Sequence, residues 1–401
     1  MSKPKIMTVY GTRPEAIKVA PVIKALEADD RFESIAVSTG QHKEMLEQVN
    51  AMFGIKPAHD LGLMKPGQGL NELVSRALAG LGDIISEVEP DVIISQGDTS
   101  TAMAAAMAGF HRGVKVVHLE AGLRTGDIYS PYPEEANRKI IGQIASLHLA
   151  PTEGSLENLR IENFRSKDIV VTGNTVIDAL LEAATWDTTF ADPRLQEAAA
   201  TEKRMVVVTT HRRENLDTMK EIGGAVHDLA SEYPDIYFVL PLHLNPAVRK
   251  AVLPEVESLE NVIITDPLPY DQFTKLQERA TIILTDSGGV QEEAPSLGKP
   301  VLVMRQNTER PEAVVSGTVK LVGTNRSLIV AEAKLLLDDE AAFKAMANAV
   351  NPYGDGKAAE RAVAAIGALL GLGERAESFS PSTAVEDENI PRFDEVIAEE
   401  V

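Results

Sequence analysis

Cysteine is absent from the 401-residue sequence. This absence excludes disulfide bonds, thiolate nucleophiles and cysteine-ligated metal sites. Long apolar runs are absent too, since the most apolar helical stretch, residues 102–110, is far shorter than the roughly 20 residues that cross a bilayer. The N-terminal residues, MSKPKIMTVYG, lack the pattern of a signal peptide. These features predict a cytoplasmic protein without a membrane segment.

Positive charge is scarce as well, with 39 lysines and arginines against 60 aspartates and glutamates and a formal net charge of −21. A protein that binds nucleic acid mainly by neutralising phosphates needs the opposite balance. We therefore expect no nucleic-acid partner. The balance leaves room for a local basic pocket that holds one phosphorylated ligand.

Short β-branched runs alternate with amphipathic helical segments along most of the chain. The first series comprises IMTVY, IAVST, DVIIS, VKVVHL, LHLAP and IVVTG, and the second comprises MVVVTT, IYFVLP, VIIT, TIILTD, KPVLVM and VKLVG. Strands separated by helices predict parallel sheets with right-handed crossovers. The sequence thus predicts an α/β fold of two doubly wound, Rossmann-like domains.

The stretch 186–204 lacks a strand pattern and marks the predicted domain boundary. We expect an N-terminal domain over 1–185, a second domain over 186–345, and C-terminal helices over 346–373 that could pack back on the first domain. Residues 374–401 contain nine acids and two arginines. Acidic sequence of low periodicity with serine and proline is typical of a mobile tail.

In doubly wound sheets, ligands bind beyond the carboxyl ends of the strands. That rule selects the segments that follow each predicted strand. Most of them are rich in arginine, histidine and acids, which a purely structural loop does not require. They cover residues 11–15, 41–42, 96–100, 118–138, 173–174, 210–214, 241–246, 286–289 and 304–312.

The segment DSGGVQEEAPSLG is a candidate phosphate site. Ser287, Gly288 and Gly289 predict a tight turn into a helix whose free N–H groups attract an anion. Glu293, about one turn into that helix, is placed to accept hydrogen bonds from a ribose diol. The alternative is an ordinary strand–helix turn with an acid that complements the helix dipole. Arg310 in the next strand-end loop favours the phosphate site.

The segment GTRPEAIKVAP repeats this arrangement in the first half of the chain. Pro14 suits the first turn of a helix, and Arg13 follows the strand with Lys18 nearby. An arginine at a strand end is more often a ligand group than a surface residue that neutralises acids. The segment is not G-x-G-x-x-G, so the sequence gives no support for a nicotinamide cofactor.

Several acids follow the strands of the first half. Asp98 could cap the next helix or act in a site. Glu120 follows a strand at a place where no helix needs it as a cap, so a functional role is favoured. Pro133, Glu134 and Glu135 have the pattern of a helix start with acids near its dipole, and at most one of these acids is expected to point into a site.

Histidines follow two strands of the second half: His211 with Arg212 and Arg213, and His243. A lone histidine is usually a structural polar residue, but two at corresponding strand ends favour a role for at least one. No HExxH motif and no cluster with metal-ligand spacing is present, so we infer no metal.

The motifs together resemble the non-hydrolysing UDP-N-acetylglucosamine 2-epimerases. The resemblance runs from about residue 5 to 365 and leaves the acidic tail outside it. It is carried by GTRPEAIKVAP, QHKEML, QGDTST, HLEAGLRTGDIYSPYPEEANR, TGNTVIDAL, THRREN, PLHLNP, TDSGGVQEEAPSLGKPVLVMR, TERPEAV, GTVKLVGT and NPYGDGKA.

The resemblance implies a GT-B-like architecture with the substrate in an interdomain cleft, and a homodimer. The implied reaction interconverts UDP-GlcNAc and UDP-ManNAc without metal or cofactor, by elimination of UDP to 2-acetamidoglucal and re-addition. The implied setting is cell-envelope polysaccharide biosynthesis. The resemblance assigns catalytic roles to Asp98, Glu120, Glu134, His211, Arg13 and Lys18, and UDP binding to Arg13, His243, Phe273, Ser287, Gly288, Gly289, Glu293 and Arg310.

Bacterial members of the family are also activated by UDP-GlcNAc bound beside the active site. The motifs associated with that second site contain Gln41, His42 and Arg212 here. Glu134 is either a catalytic group or a contact to the activator. The neighbouring Lys43 and Glu44 occupy positions at which members vary.

Three alternatives remain open from the sequence. A hydrolysing epimerase of similar fold would release ManNAc and UDP, and the absence of a fused kinase-like half disfavours the bifunctional form. A glycosyltransferase would move the sugar to an acceptor. A regulator would bind the nucleotide sugar without turnover, but the acids at the strand ends disfavour it, because a diphosphate attracts cations.

Overall fold

The two predicted strand series form two separate parallel sheets in a computed structural model that describes residues 2–40, 43–65 and 67–381, apart from the side chain of Lys43. Contacts divide the chain into two units. Unit 1 contains Met1–Leu181 and Tyr353–Ser380, and unit 2 contains Glu182–Pro352. The first division falls within a helix, slightly before the boundary that the sequence suggested.

The sheet of unit 1 has seven strands in the order β3-β2-β1-β4-β5-β6-β7. All neighbouring pairs are parallel. The chain order reverses between β1 and β4, which makes that point the topological switch point. The strands are β1 Lys5–Tyr10, β2 Glu33–Ser38, β3 His59–Asp60, β4 Val92–Gln96, β5 Lys115–Leu119, β6 Leu147–Ala150 and β7 Ile169–Val171.

Helices on both faces connect these strands. The α3 and α4 helices pack on one face through a core that includes Val9, Val37, Leu81 and Ile93. The helices are α1 Arg13–Ala28, α2 Lys43–Phe53, α3 Leu70–Val88, α4 Ser100–His111, α5 Glu134–Ile144, α6 Glu153–Ile161 and α7 Thr175–Ala184, with a 3-10 turn at Ser166–Asp168.

The sheet of unit 2 has six parallel strands in the order β10-β9-β8-β11-β12-β13, with its switch point between β8 and β11. The strands are β8 Met205–Thr209, β9 Tyr237–Pro241, β10 Val262–Thr265, β11 Ile282–Thr285, β12 Val301–Val303 and β13 Val319–Leu321. The helices are α8 Pro193–Ala199, α9 Met219–Glu232, α10 Pro246–Val256, α11 Tyr270–Arg279, α12 Gly288–Glu293, α13 Pro311–Val315, α14 Arg326–Asp338 and α15 Glu340–Ala347, with 3-10 turns at Arg213–Asn215 and Ala294–Leu297.

Every β-branched run named in the sequence corresponds to a strand, and the predicted fold class of two doubly wound units is confirmed. The two-residue β3 was not predicted, because so short a segment has no periodicity to detect. No helix within the described ranges is both long and apolar enough to span a membrane.

The last helix, α16 Ala358–Leu369, belongs to unit 1. Asp178 on α7 accepts hydrogen bonds from the backbone N–H groups of Ala358 and Ala359, at 3.2 and 2.8 Å, and so holds the N-terminus of α16. Burial raises the pKa of the Asp178 carboxyl to about 6, against the opposing effect of these N–H donors.

Arg375 and Phe379, which the sequence analysis placed in the acidic tail, contact the edge strand β7. The Phe379 N–H donates to the Val171 carbonyl at 2.8 Å, and the Phe379 ring is buried beside Ala121, Ala150 and Leu159. An edge strand presents unpaired carbonyls, and an apolar ring beside it gains burial. The rest of the tail, residues 382–401, lies outside the described residues.

Candidate functional site

In unit 1, a buried glutamate joins the two loops at the switch point. Thr12 caps α1 in a capping box with Glu15. The Glu15 carboxylate accepts the N–H groups of Gly11 and Thr12, at 2.9 and 2.7 Å, and the Thr99 hydroxyl at 2.6 Å. Burial raises the pKa of Glu15, in opposition to these donors. The turn that carries the half-buried Arg13 is therefore tied to the loop after β4.

Glu120 lies where β5 ends and is held in an unusual backbone conformation. Its φ of 63° is in the left-handed region, which costs a residue with a side chain about 1–2 kcal/mol. Its carboxylate forms an ion pair with Lys18 on α1 and accepts Gln96 Nε2 at 2.5 Å and Asn174 Nδ2 at 3.1 Å. Three elements thus orient this one carboxylate, whose side chain is 8% exposed.

Asp98, in the turn after β4, belongs to a second charged group in unit 1. Its carboxylate pairs with Arg138 Nη2 at 2.6 Å, and Arg138 Nη1 contacts Glu135 at 3.0 Å. Burial alone would lower the pKa of Arg138, but Asp98 and Glu135 more than offset that effect and raise it. The alternative that Asp98 caps α4 is wrong, because Thr99 is the N-cap and accepts the Ala102 N–H at 3.0 Å.

Pro133, Glu134 and Glu135 lie at the start of α5, and their side chains have different surroundings. Pro133 is the N-cap of α5, and Glu134 and Glu135 form its first turn, as the pattern predicted. Glu135 is fully buried, where it accepts the Gly126 N–H at 3.3 Å and pairs with Arg138. Glu134 is half-buried and forms no side-chain hydrogen bond within the described part of the chain. Of the two acids, Glu134 is the one accessible to a ligand.

At the switch point of unit 2, a buried aspartate accepts hydrogen bonds from the neighbouring strand-end loop. Asp286 follows β11 and is inaccessible to solvent. Its carboxylate accepts the N–H groups of His211 and Arg212 at 3.0 Å, the Thr210 hydroxyl at 2.9 Å and Asn215 Nδ2 at 3.2 Å. Burial would raise the pKa of Asp286, but the side chain and N–H group of His211 and the N–H group of Arg212 lower it below its ordinary value.

Asp286 also fixes the imidazole of His211. The His211 Nδ1 atom lies 3.1 Å from Asp286 Oδ1, so Nδ1 carries the proton and Nε2 is left for other partners. The His211 ring stacks on His243, with ring centroids 5.8 Å apart and planes 23° apart. His243 Nδ1 accepts the Asn245 N–H at 3.1 Å, which leaves its Nε2–H as a donor. Two oriented imidazoles therefore lie together at the strand ends.

The Ser287-Gly288-Gly289 turn has the close approach that glycine allows. Ser287 is the N-cap of α12 and forms no side-chain capping bond. A Cβ on Gly288 would lie 2.5 Å from Arg310 Nη1, so the guanidinium packs directly on this turn. Arg310 is itself paired with the buried Glu292 at 2.6 Å. The predicted combination of glycine turn and Arg310 is therefore present in one place.

Glu293, near the end of α12, is oriented by a neighbouring helix. Gln277 Nε2 on α11 donates to its carboxylate at 3.1 Å. Phe273 is half-buried one turn before Gln277 on the same helix. Arg212 is half-buried beside Asp286, to whose carbonyl its Nε donates at 3.3 Å. Gln41 and His42 lie outside the described residues.

Four groups that organise these clusters received no role from the sequence. They are Glu15, Gln96, Asn174 and Asp286, and each lies inside a strand-end segment that the sequence analysis had selected. Their position was the available signal, and their partners became visible only in three dimensions. Within the described ranges no group of three or more histidine, aspartate or glutamate side chains could hold a metal ion.

Comparisons with known proteins give a consistent result. A family model described as UDP-N-acetylglucosamine 2-epimerase matches residues 24–367. The chain is 50% identical over 370 residues to UDP-N-acetylglucosamine 2-epimerase of Escherichia coli (strain K12), which covers 90% of this chain and 98% of that protein.

Two solved structures extend the comparison. The UDP-GlcNAc 2-epimerase of Neisseria meningitidis, bound to UDP-GlcNAc, is 44% identical with a TM-score of 0.81, over 92% of this chain and all of that one. The Methanocaldococcus jannaschii UDP-GlcNAc 2-epimerase, in complex with UDP-GlcNAc and UDP, is 31% identical with a TM-score of 0.73, again over 92% of this chain and all of that one.

Proposed function

Because the chain belongs to the UDP-N-acetylglucosamine 2-epimerase family, we propose that it interconverts UDP-GlcNAc and UDP-ManNAc without hydrolysis. The proposed route eliminates UDP to give 2-acetamidoglucal and then adds UDP back. A base takes the C2 proton, the electrons of that bond form the C1–C2 double bond, and the C1–O bond to the diphosphate breaks. In the return step a proton reaches the opposite face of C2, and the diphosphate oxygen re-forms its bond to C1.

This chemistry needs acids and bases more than it needs an electron sink. The C2 proton is not adjacent to a carbonyl, so removing it without departure of the leaving group has little driving force. Two faces of C2 require proton carriers on both sides, and the departing diphosphate requires donors and cations. Asp98, Glu120 and His211 are the proposed proton carriers.

The observation that carries the proposal is the fixed carboxylate of Glu120. A residue at φ 63° whose carboxylate is held by Lys18, Gln96 and Asn174 is strained and oriented, as catalytic groups are. In this proposal Lys18 steadies the charge of that carboxylate. Arg13, at the adjacent strand end, faces the diphosphate.

Unit 2 is proposed to bind the nucleotide. The Ser287-Gly288-Gly289 turn and Arg310 would hold the diphosphate, and His243 would donate through Nε2. Glu293, oriented by Gln277, would accept hydrogen bonds from the ribose hydroxyls, with Phe273 against the uracil. His211 would use Nε2 to exchange a proton with the leaving or returning oxygen, since Asp286 holds its other nitrogen.

One experiment tests this function against its alternatives. The purified protein is incubated with UDP-GlcNAc in D2O, and the products are followed by NMR. UDP-ManNAc with deuterium at C2 is the expected product. Free ManNAc with an equal amount of UDP would instead identify a hydrolysing enzyme and overturn the proposal.

Two further outcomes also contradict it. No reaction until a sugar acceptor is added would identify a glycosyltransferase. Binding of UDP-GlcNAc without turnover under any condition would identify a regulator. A catalytically dead variant, Glu120→Gln, run beside the wild type separates slow chemistry from a contaminating activity.

The remaining features of the family are also proposed for this chain: a homodimer in the cytoplasm, activated by a second UDP-GlcNAc. Arg212 and the accessible Glu134 would contact that activator, together with Gln41 and His42. Sigmoidal dependence of the rate on UDP-GlcNAc concentration, abolished in Arg212→Ala, is expected. Hyperbolic kinetics in the wild type would contradict activation.

A further inference from the structure

A buried histidine lies directly behind the candidate carboxylates of unit 1, and no role proposed above uses it. His118 is on β5, two residues before Glu120, and is 1% exposed. Its Nε2 atom lies 2.8 Å from the carbonyl oxygen of Gly97, the residue that precedes Asp98. A carbonyl oxygen only accepts hydrogen bonds, so Nε2 is the donor and the ring is the Nε2–H tautomer.

The turn at Gly97 is held by three consecutive residues of the neighbouring strand end. The Gly97 N–H donates to the Leu119 carbonyl at 2.9 Å, and its carbonyl accepts the His118 ring N–H. A Cβ on Gly97 would lie 3.6 Å from Glu120 Oε2, so the Glu120 carboxylate packs on the same turn. Gly97 has a φ of 69°, which glycine adopts readily, and these contacts hold the turn that it forms.

A buried histidine at this position is less stable than an apolar residue would be, so its hydrogen bond to Gly97 calls for an explanation. Burial holds the pKa of His118 at about 3, so the ring is neutral. Its Nδ1 atom is buried and has no hydrogen-bond partner within the described part of the chain. A buried polar atom without a partner costs free energy that an apolar side chain would avoid. What an apolar residue could not supply is the bond to Gly97.

We propose that His118 is a positioning residue for the reaction, which fixes the Gly97 carbonyl and thereby the placement of Asp98 relative to Glu120. The inference rests on the proposed function, because that function gives Asp98 and Glu120 their roles. Without the ring N–H, the Gly97 carbonyl loses its donor and the peptide that leads into Asp98 is less constrained. A shift of a catalytic group by about 1 Å can cost about a hundredfold in rate.

The chain offers a matched control in His148. It pairs in register with His118 on the neighbouring strand β6 and is also 1% exposed. Its ring lies 4.7 Å from the ring of Phe164, and within the described residues it forms no hydrogen bond to Gly97. Replacing either histidine perturbs a buried imidazole of the same sheet, but only one replacement removes the bond to Gly97.

The test compares kcat, KM and Tm of the full chain in His118→Leu, His118→Gln and His148→Leu, with UDP-GlcNAc as substrate. His118→Leu should lower kcat about a hundredfold with KM within about threefold of wild type. His118→Gln, whose amide can still donate to Gly97, should recover kcat to within about tenfold. His148→Leu should lower Tm by a similar amount and leave kcat within about threefold. Equal loss of kcat in the two leucine variants overturns the inference.

A second comparison covers the case in which His118→Leu does not fold. His118→Asn has an amide too short to reach the Gly97 carbonyl, so it should lose kcat relative to His118→Gln at similar Tm. Equal kcat in the amide variants also overturns the inference.

NMR of the wild type labelled with 15N-histidine gives a readout that does not depend on turnover. It should show one slowly exchanging Nε2–H from His118, absent in His118→Leu. A ring protonated at Nδ1 overturns the inference whatever the enzyme does. Failure of the wild type to form UDP-ManNAc overturns the proposed function, and the NMR result then still decides whether His118 holds the Gly97 turn.

Discussion

Unit 1 and unit 2 share a strand order but carry different chemistry at their strand ends. In unit 1 the strand ends carry paired carboxylates, with Glu120 on Lys18 and Asp98 on Arg138. In unit 2 an acid at the switch point, Asp286, is fully buried and serves as an acceptor for His211 and its loop. The imidazoles of His211 and His243 and a glycine turn beside Arg310 lie at the strand ends there.

This difference teaches how one topology can serve two tasks. Parallel strands end at the same edge and always present loops there, so the topology supplies the place. The residue types decide whether the place holds proton carriers or an anion. Variants of unit 1 should therefore change kcat, and variants of the unit 2 turn should change affinity for UDP.

The largest expected effect is that of Glu120→Gln. Loss of the charged carboxylate should lower kcat by about a thousandfold, within the range for removal of a general acid or base. UDP affinity should stay within about threefold. NMR measures the turnover and calorimetry measures the affinity for UDP, so the two methods check both numbers. Asp98→Asn should change the same two quantities in the same direction.

A matched control for this prediction is Glu162→Gln in unit 1. Glu162 also pairs with two cations, Arg124 at 2.8 Å and Lys139 at 3.0 Å. The bond to Arg124, more than the opposing effect of burial, lowers the pKa of Glu162 to about 2. Its replacement should leave kcat near the wild-type value. A collapse of UDP affinity in Glu120→Gln would show that this carboxylate is structural and would break the comparison.

Gly288→Ala tests the unit 2 side. The added Cβ would lie 2.5 Å from Arg310 Nη1, and the guanidinium must move although Glu292 holds it. Loss of one charge-assisted contact should weaken UDP binding by about 10- to 100-fold, with a smaller change in kcat.

Gly82→Ala is the control for that substitution. A Cβ on Gly82, in the interior of α3, would meet nothing within 4 Å. UDP binding should be unchanged, and the free energy of unfolding should rise by about 0.5–1 kcal/mol. If both alanine variants bind UDP like the wild type, the assignment of the glycine turn to UDP is wrong.

Phe379→Ala probes the segment that covers the edge of the unit 1 sheet. The ring is 4% exposed and belongs to a buried cluster with Ala121 and Val171, so its loss should cost about 3–5 kcal/mol. Urea unfolding gives the number, and hydrogen exchange should localise it to β7 rather than unit 2. Phe110→Ala is the control, because Phe110 is 56% exposed and its loss should change stability by less than about 0.5 kcal/mol.

The last expected effect is a pH dependence specific to unit 1. Burial lowers the pKa of His118 to about 3 and of His148 to about 4. Below about pH 6.5 the unfolded chain binds protons at these rings and the folded chain does not, so stability falls as pH falls toward 4. Each ring contributes up to about 1.4 kcal/mol per pH unit in that window. Urea unfolding from pH 7 to 4 should show a shallower fall in His148→Leu, and an unchanged slope would contradict the assignment.

Local pattern was enough to predict twelve of the thirteen strands and the two-unit fold class, and the resemblance of the motifs indicated the family. β-branched runs report burial in a parallel sheet directly, and the motifs follow those runs in a fixed order. The family prediction is confirmed by the match over residues 24–367 and by the relatives that cover most of the chain. The roles of the individual site residues stay predictions.

Two residues have partners that the sequence did not indicate. Asp98 had the composition of a helix cap, but Thr99 takes that position and leaves Asp98 to Arg138, 40 residues away. Phe379 had the surroundings of a mobile acidic tail, but it packs beside β7. Neither contact is visible in the local sequence, because Arg138 is far from Asp98 and β7 is far from Phe379 along the chain.

What the sequence determined by itself is which residues stand at strand ends, since periodicity and order along the chain place them there. What only the tertiary structure decided is which of those residues meet. Gln96, Asn174 and Lys18 come from three separate segments to hold Glu120, and Thr210, His211 and Asn215 gather on Asp286. Hydrogen bonds and ion pairs act over a few ångströms, so their partners are set by the folded sheet and not by distance along the chain.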